Sequence, residues 1–148
     1  MEAKIYIKGT FDRDTRIGCA AYELETDDFE SDKMTVLHNL DKGRGTYQME
    51  LLALIEALAE TPSSVTGLTV YTNNKAVASW LSRIDEDNCC DDFYMKYIEV
   101  IRERMKRISF CTLNAEWIKK DNPAPGNVSV NSRAHERLNK ELMDYYKR

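Results

Sequence analysis

The sequence predicts a single α/β domain over residues 1–148, with three antiparallel strands and then parallel strands in one mixed five-stranded sheet flanked by helices. Three observations carry this. The first 40 residues hold three strand-like segments joined by short polar turns, as in an antiparallel meander. A broad apolar stripe at helical spacing follows, in Leu51, Leu52, Leu54, Ile55 and Leu58. From there to the last residue, helical and strand patterns alternate, as helix-connected parallel strands require.

The elements follow in order. Residues 3–10 alternate Ile5 and Ile7 with Tyr6 and Lys8, so they read as a strand, and Phe11 to Arg16 is a polar turn. Residues 17–25 complete a hairpin, the acidic run Thr26 to Asp32 is the next turn, and Met34 to Leu40 is a third strand. The Gly-rich loop Asp41 to Gly45 leads to Thr46 as helix N-cap, and that helix ends near Glu60, ahead of Pro62. Leu68 to Tyr71 is an apolar central strand, and Asn73 or Asn74 caps a short helix carrying Val77, Trp80 and Leu81. Phe93 to Ile108 has helical spacing, Leu113 to Ile118 is a strand, and Lys119 to Val130 is a loop. Asn131 to Tyr146 closes the chain as an amphipathic helix.

Composition narrows the function. With 43% hydrophobic and 31% charged residues the chain can build a core, which excludes intrinsic disorder. No apolar run reaches the ~18–20 residues of a bilayer span, and Met1-Glu2-Ala3-Lys4 lacks a signal-peptide pattern. Both point to an intracellular, cytoplasmic protein without a membrane partner. Cys19, Cys89, Cys90 and Cys111 form no CxxC pair and have no histidine at ligand spacing, so they read as reduced thiols, with Cys19 and Cys111 in strand cores. The net charge of −4 hides an acidic excess in residues 1–93 and a basic excess in residues 94–148. Arg102, Arg104, Lys106 and Arg107 belong to that basic part and read first as a solvated helix face.

Four short segments carry a family resemblance. They are Ile5-Tyr6-Ile7-Lys8-Gly9-Thr10, Met49-Glu50-Leu51, Tyr71-Thr72-Asn73-Asn74 and Asn131-Ser132-Arg133-Ala134-His135. Their order and the elements they fall on resemble the ribonuclease H-like superfamily across nearly the whole chain. That family binds two Mg²⁺ ions about 4 Å apart through carboxylates at these places, to activate water and stabilise the leaving oxygen. By the resemblance the four acid positions here hold Lys8, Glu50, Asn73 and His135. An ammonium has no lone pair to give Mg²⁺, an asparagine loses the charge, and an imidazole prefers softer metals. Trp117-Ile118-Lys119-Lys120 also lacks the family's Gly and loop His.

The resemblance therefore implies a ribonuclease H-like pseudoenzyme with no catalytic residues, no metal and no cofactor. Lys8 facing Glu50 would place an ammonium where a metal ion sits, as an ion pair. Nucleic acid (RNA or RNA–DNA hybrid) is the implied partner class. Gly9, Thr10, Lys42, Arg44, Thr46, Asn74, Lys119 and Lys120 are the contact candidates. Two other readings stay open. One is a divergent nuclease using Mg²⁺ or Mn²⁺ in a rearranged site, for which Asp12 and Asp14 would have to leave their turn. The other is a protein-interaction or oligomerisation subunit, using the face of Phe93 to Ile108 with its tyrosines and the adjacent Cys89-Cys90.

Overall fold

The computed structural model describes residues 1–108, 112–119 and 125–147. The chain runs β1 (Glu2–Asp12), β2 (Ile17–Thr26), β3 (Glu30–Leu37), α1 (Gly45–Glu60), β4 (Gly67–Thr72), α2 (Lys75–Ser82), α3 (Asp92–Lys106), β5 (Thr112–Trp117) and α4 (Pro125–Tyr146). The five strands lie in the order β3-β2-β1-β4-β5. The first three pair antiparallel, with Ile5 opposite Leu24 and Tyr22 opposite Lys33. β4 pairs parallel with both β1 and β5, with Val70 opposite Ile5 on one side and Ala115 on the other. The mixed sheet read from the sequence is the sheet observed.

Alternation along β1 divides its side chains between two layers. Ile5 and Ile7 join the main core under α1, with Met49, Leu51, Leu54 and Leu58 of that helix buried. Ile98 and Ile101 of α3 close this layer from outside. Tyr6, on the other face, packs with Ala21 and with Val130 and Ala134 of α4. The ring of Tyr6 also stacks on Tyr71 at 4.9 Å, across the β1–β4 pair. α4 is fastened further by Arg133, whose guanidinium meets Glu23 of β2 at 3.0 Å and Asp32 of β3 at 2.7 Å.

Several boundaries differ from the sequence reading. The turn expected over Thr26 to Asp32 shrinks, because Glu25 pairs with Glu30 and Asp32 with Glu23 in the β2–β3 ladder. An edge strand tolerates such charges on its solvent side. β3 stops at Leu37; Asn39 takes a positive φ of 61° and Leu40 turns inward to the core instead of extending the strand. Thr46 does not cap α1. Arg44 stands at the N-cap without a side-chain bond. Asn74 does cap α2, its Oδ1 accepting from Val77 N–H at 3.1 Å. The largest difference is α4, which begins at Pro125, ahead of the expected Asn131. Cys111 lies outside the described residues; Cys19, Cys89 and Cys90 are free thiols, the first two buried. No helix among the described residues is long and apolar enough to cross a membrane.

Candidate functional site

Four segments of different elements meet at one end of the sheet: the last third of β1, the first turns of α1, the carboxyl end of β4 and the first half of α4. Glu50 marks the junction. It points from α1 toward β1 and is buried, with 1% of its surface exposed. One carboxylate oxygen accepts the backbone N–H of Gly9 and the other accepts the hydroxyl of Thr72, so β1, α1 and β4 are joined through one side chain. Gly9 is required by the same approach. A Cβ at that position would fall on the backbone nitrogen of Glu50 and 2.7 Å from the carbonyl oxygen of Thr46.

Burial dominates the electrostatics of Glu50. Desolvation pushes its pKa from 4.5 up to about 7, against the downward pull of the Thr72 bond, the Lys8 charge and the Gly9 bond. Lys8, the neighbour of Gly9, projects to the other face, and its Nζ donates to Asn73 Oδ1 at 3.3 Å. The ion pair expected between Lys8 and Glu50 is thus not the arrangement the carboxylate uses: both its oxygens have neutral donors, and Lys8 reaches it as a nearby positive charge. The physical reason is strand parity, which sends consecutive residues to opposite faces.

Lys8 and Asn73 open into a cleft of about 390 Å³, shared with Lys119 at the end of β5 and with Asn127, Asn131 and His135 of α4. The three α4 residues are spaced by four, so they form one stripe of the helix. Asn127 is 1% exposed, yet neither its Nδ2 nor its Oδ1 has a hydrogen-bond partner, and Asn131 Oδ1 is likewise buried and unpartnered. Two lysines and no carboxylate stand among the described residues lining this cleft. Beside it, the half-exposed ring of Trp117 carries Lys75 Nζ at 5.0 Å and Lys119 Nζ at 5.7 Å.

The remaining contact candidates separate into two groups. Lys42, Arg44 and Thr46 line a second cleft of about 390 Å³ with Phe11 and Tyr47, and the Arg44 guanidinium lies 4.3 Å from the Phe93 ring centre. Gly9, Thr10 and Asn74 are engaged in the fold: Gly9 N–H serves Glu50, the Thr10 hydroxyl is buried without a partner, and Asn74 caps α2. Lys120 lies outside the described residues. Asp12 accepts from Thr15 through both its N–H and its hydroxyl, an ordinary polar turn. The basic α3 face is largely occupied, with Arg102 on the carbonyls of Ile84 and Glu86 and Arg104 on that of Ile55. The α3 tyrosines turn inward, Tyr94 being buried and Tyr97 accepting a bond from Gln48. Among the described residues, no three His, Cys, Asp or Glu side chains gather where they could hold a metal ion.

No protein-family model and no curated protein matches the chain. Solved structures do. One is titled crystal structure of RNase H1 from the halophilic archaeon Halobacterium salinarum NRC-1; it matches with a TM-score of 0.70 at 14% identity, over 95% of this chain and 99% of that one. The fold is ribonuclease H-like. Identity this low speaks for the fold alone and leaves function to the residues of the site.

Within this ribonuclease H-like fold, Lys8, Glu50, Asn73 and His135 come from four different segments of the chain. Lys8, Asn73 and His135 share the cleft, and Glu50 is sealed beneath it. Sequence reading misses Asn127, because residues 119–130 read as a loop. A signal was there: Pro125 is favoured at the first helical position, and a helix begun there puts residues 127, 131 and 135 on one line.

Proposed function

We propose that the chain is a catalytically inactive ribonuclease H-like module that binds RNA or RNA–DNA hybrid without a divalent metal. The single observation that carries this reading is the state of Glu50. Its two oxygens are already bonded to Gly9 and Thr72 inside the core, and the cleft above presents an ammonium and amides among its described residues. Magnesium takes oxygen ligands in near-ideal octahedra and depends on carboxylate charge. A sealed carboxylate, an asparagine oxygen already bonded to an ammonium and an imidazole do not fit that requirement. Lys119 and the amide N–H groups that line the cleft suit an anion instead.

The test is a labelled RNA–DNA hybrid incubated with the protein in Mg²⁺, in Mn²⁺ and in EDTA, with cleavage and binding read in parallel. We expect the hybrid to be bound in EDTA and left intact in either metal. Metal-dependent cleavage that disappears in Glu50→Ala would overturn the reading in favour of a rearranged nuclease. Absence of binding in all three conditions would overturn it in favour of a protein-interaction subunit.

A further inference from the structure

We infer that Cys89, Cys90 and Met95 form an all-sulfur site for one soft closed-shell cation, copper(I), outside both clefts. The three residues come together where the link from α2 enters α3. Cys90 Sγ donates to Met95 Sδ at 3.5 Å, and its thiol is also in hydrogen-bond contact with that of Cys89. Adjacent residues of a strand send their side chains apart; these two lie in an irregular bend, which lets both thiols meet. Cys89 is 1% exposed and belongs to the main core, while Cys90 and Met95 are half-buried against it. None of the three lines either cleft described above.

The backbone that carries the thiols is tied down. Arg83 Nη2 donates to the Cys89 carbonyl at 3.2 Å, and Arg102 of α3 donates to the carbonyls of Ile84 and Glu86, both at 2.7 Å. Donor chemistry then selects the ion. Zinc takes thiolate, imidazole and carboxylate ligands and closes a tetrahedron. Here the third donor is a thioether, and no further His, Cys, Asp or Glu joins the two cysteines in a metal-holding group among the described residues. Two thiolates and a thioether are a soft set, which suits copper(I). Sulfurs each about 2.3 Å from one ion stand about 4 Å apart in a trigonal plane, so the 3.5 Å contact has little to open. Binding breaks both S–H bonds, passes the two protons to solvent and leaves copper monovalent. Burial first, and Cys89 next, push the Cys90 thiol up to about 12, so the ion itself has to displace that proton. The product carries a single negative charge, which the nearby Arg102 guanidinium offsets and Asp91 opposes.

The test titrates the reduced full chain, without oxygen, into the copper(I)–bicinchoninate complex, whose colour fades as copper is withdrawn. Wild type is compared with Met95→Leu, Cys90→Ser and, as control, Cys19→Ala. We expect wild type and the control to withdraw one copper per chain. Met95→Leu should weaken the affinity by about tenfold or more, and Cys90→Ser should abolish it. Met95 is half-buried and leucine is similar in size, so this variant carries the comparison should Cys90→Ser fail to fold. No copper taken by the wild type overturns the site. Equal uptake by all four proteins also overturns it, by placing the copper elsewhere. Wild-type affinity in Met95→Leu overturns the three-sulfur set. Displacement of the bound copper by equimolar zinc(II) overturns the preference for copper(I). Hybrid binding is read separately, so the module reading stands or falls on its own test.

Discussion

Glu50 shows how far one residue can be understood from its neighbours. A carboxylate in a Met-Glu-Leu context on an amphipathic helix is visible in the sequence, but its charge state is not, because desolvation depends on what packs around it. Full burial raises its pKa from 4.5 to about 7, against the downward pull of its two hydrogen-bond donors and of Lys8. The sign follows directly. Below pH 4.5 both folded and unfolded chains hold the proton and burial carries no electrostatic cost. Between pH 4.5 and 7 the unfolded chain ionises while the folded one keeps its proton, so stability falls as pH rises through this window and levels off above it. We expect Glu50→Gln, which keeps an acceptor for Gly9 and a group for Thr72, to match the wild type near pH 4. At pH 8 it should be more stable by on the order of 3 kcal/mol. Urea unfolding of both proteins at the two pH values checks this; equal stability at pH 8 would show that Glu50 is not buried in ionised form.

Elements meet more closely here than their sequences disclose. β1 and α1 touch backbone to backbone at Gly9, where a Cβ would collide with Glu50 nitrogen and the Thr46 carbonyl, atoms that cannot step aside. Gly9→Ala should therefore cost about 3 kcal/mol, the upper end of overpacking penalties, and show as a lower urea midpoint. Gly9 sits in a strand pattern that reads equally well with alanine, so only the crossing of the helix reveals the need. α4 carries the converse lesson. Its apolar spacing from Ala134 onward was legible, while its first turns were hidden by Pro125 and Gly126, which read as loop residues out of context. Gly126 is in the helix because its missing Cβ makes room for the Tyr6 ring, 2.5 Å from where that atom would stand. That contact joins residues 120 positions apart, beyond any local rule.

For the molecule as a whole, charge is the governing quantity. The net charge of −4 and pI near 5.3 set a repulsive background for nucleic acid, so attraction has to be local. The basic excess of residues 94–148 does not supply it evenly, since Arg102 and Arg104 are spent on backbone carbonyls of the core and Arg133 on two carboxylates. Among the described residues, Lys8 and Lys119 border one cleft and Lys42 and Arg44 the other. Binding of an RNA–DNA hybrid should accordingly show a shallow salt dependence, with log Kd rising by about 2 to 4 per decade of salt. Anisotropy titrations over a salt series measure that slope; a value near 10 would mean that a broad basic surface outside these clefts is in use.

By itself the sequence determined the element order and the antiparallel-then-parallel sheet, since these rest on periodicity and turn chemistry, while the family resemblance of short local motifs singled out Lys8, Glu50, Asn73 and His135. Tertiary structure alone decided what surrounds those side chains. Whether Glu50 meets Lys8 or the Gly9 N–H depends on strand parity and helix approach, and whether Asn127 is solvated or sealed against a cleft depends on where α4 begins and what it lies upon. Desolvation and hydrogen-bond satisfaction are properties of the assembled surroundings, so no window of residues along the chain contains them.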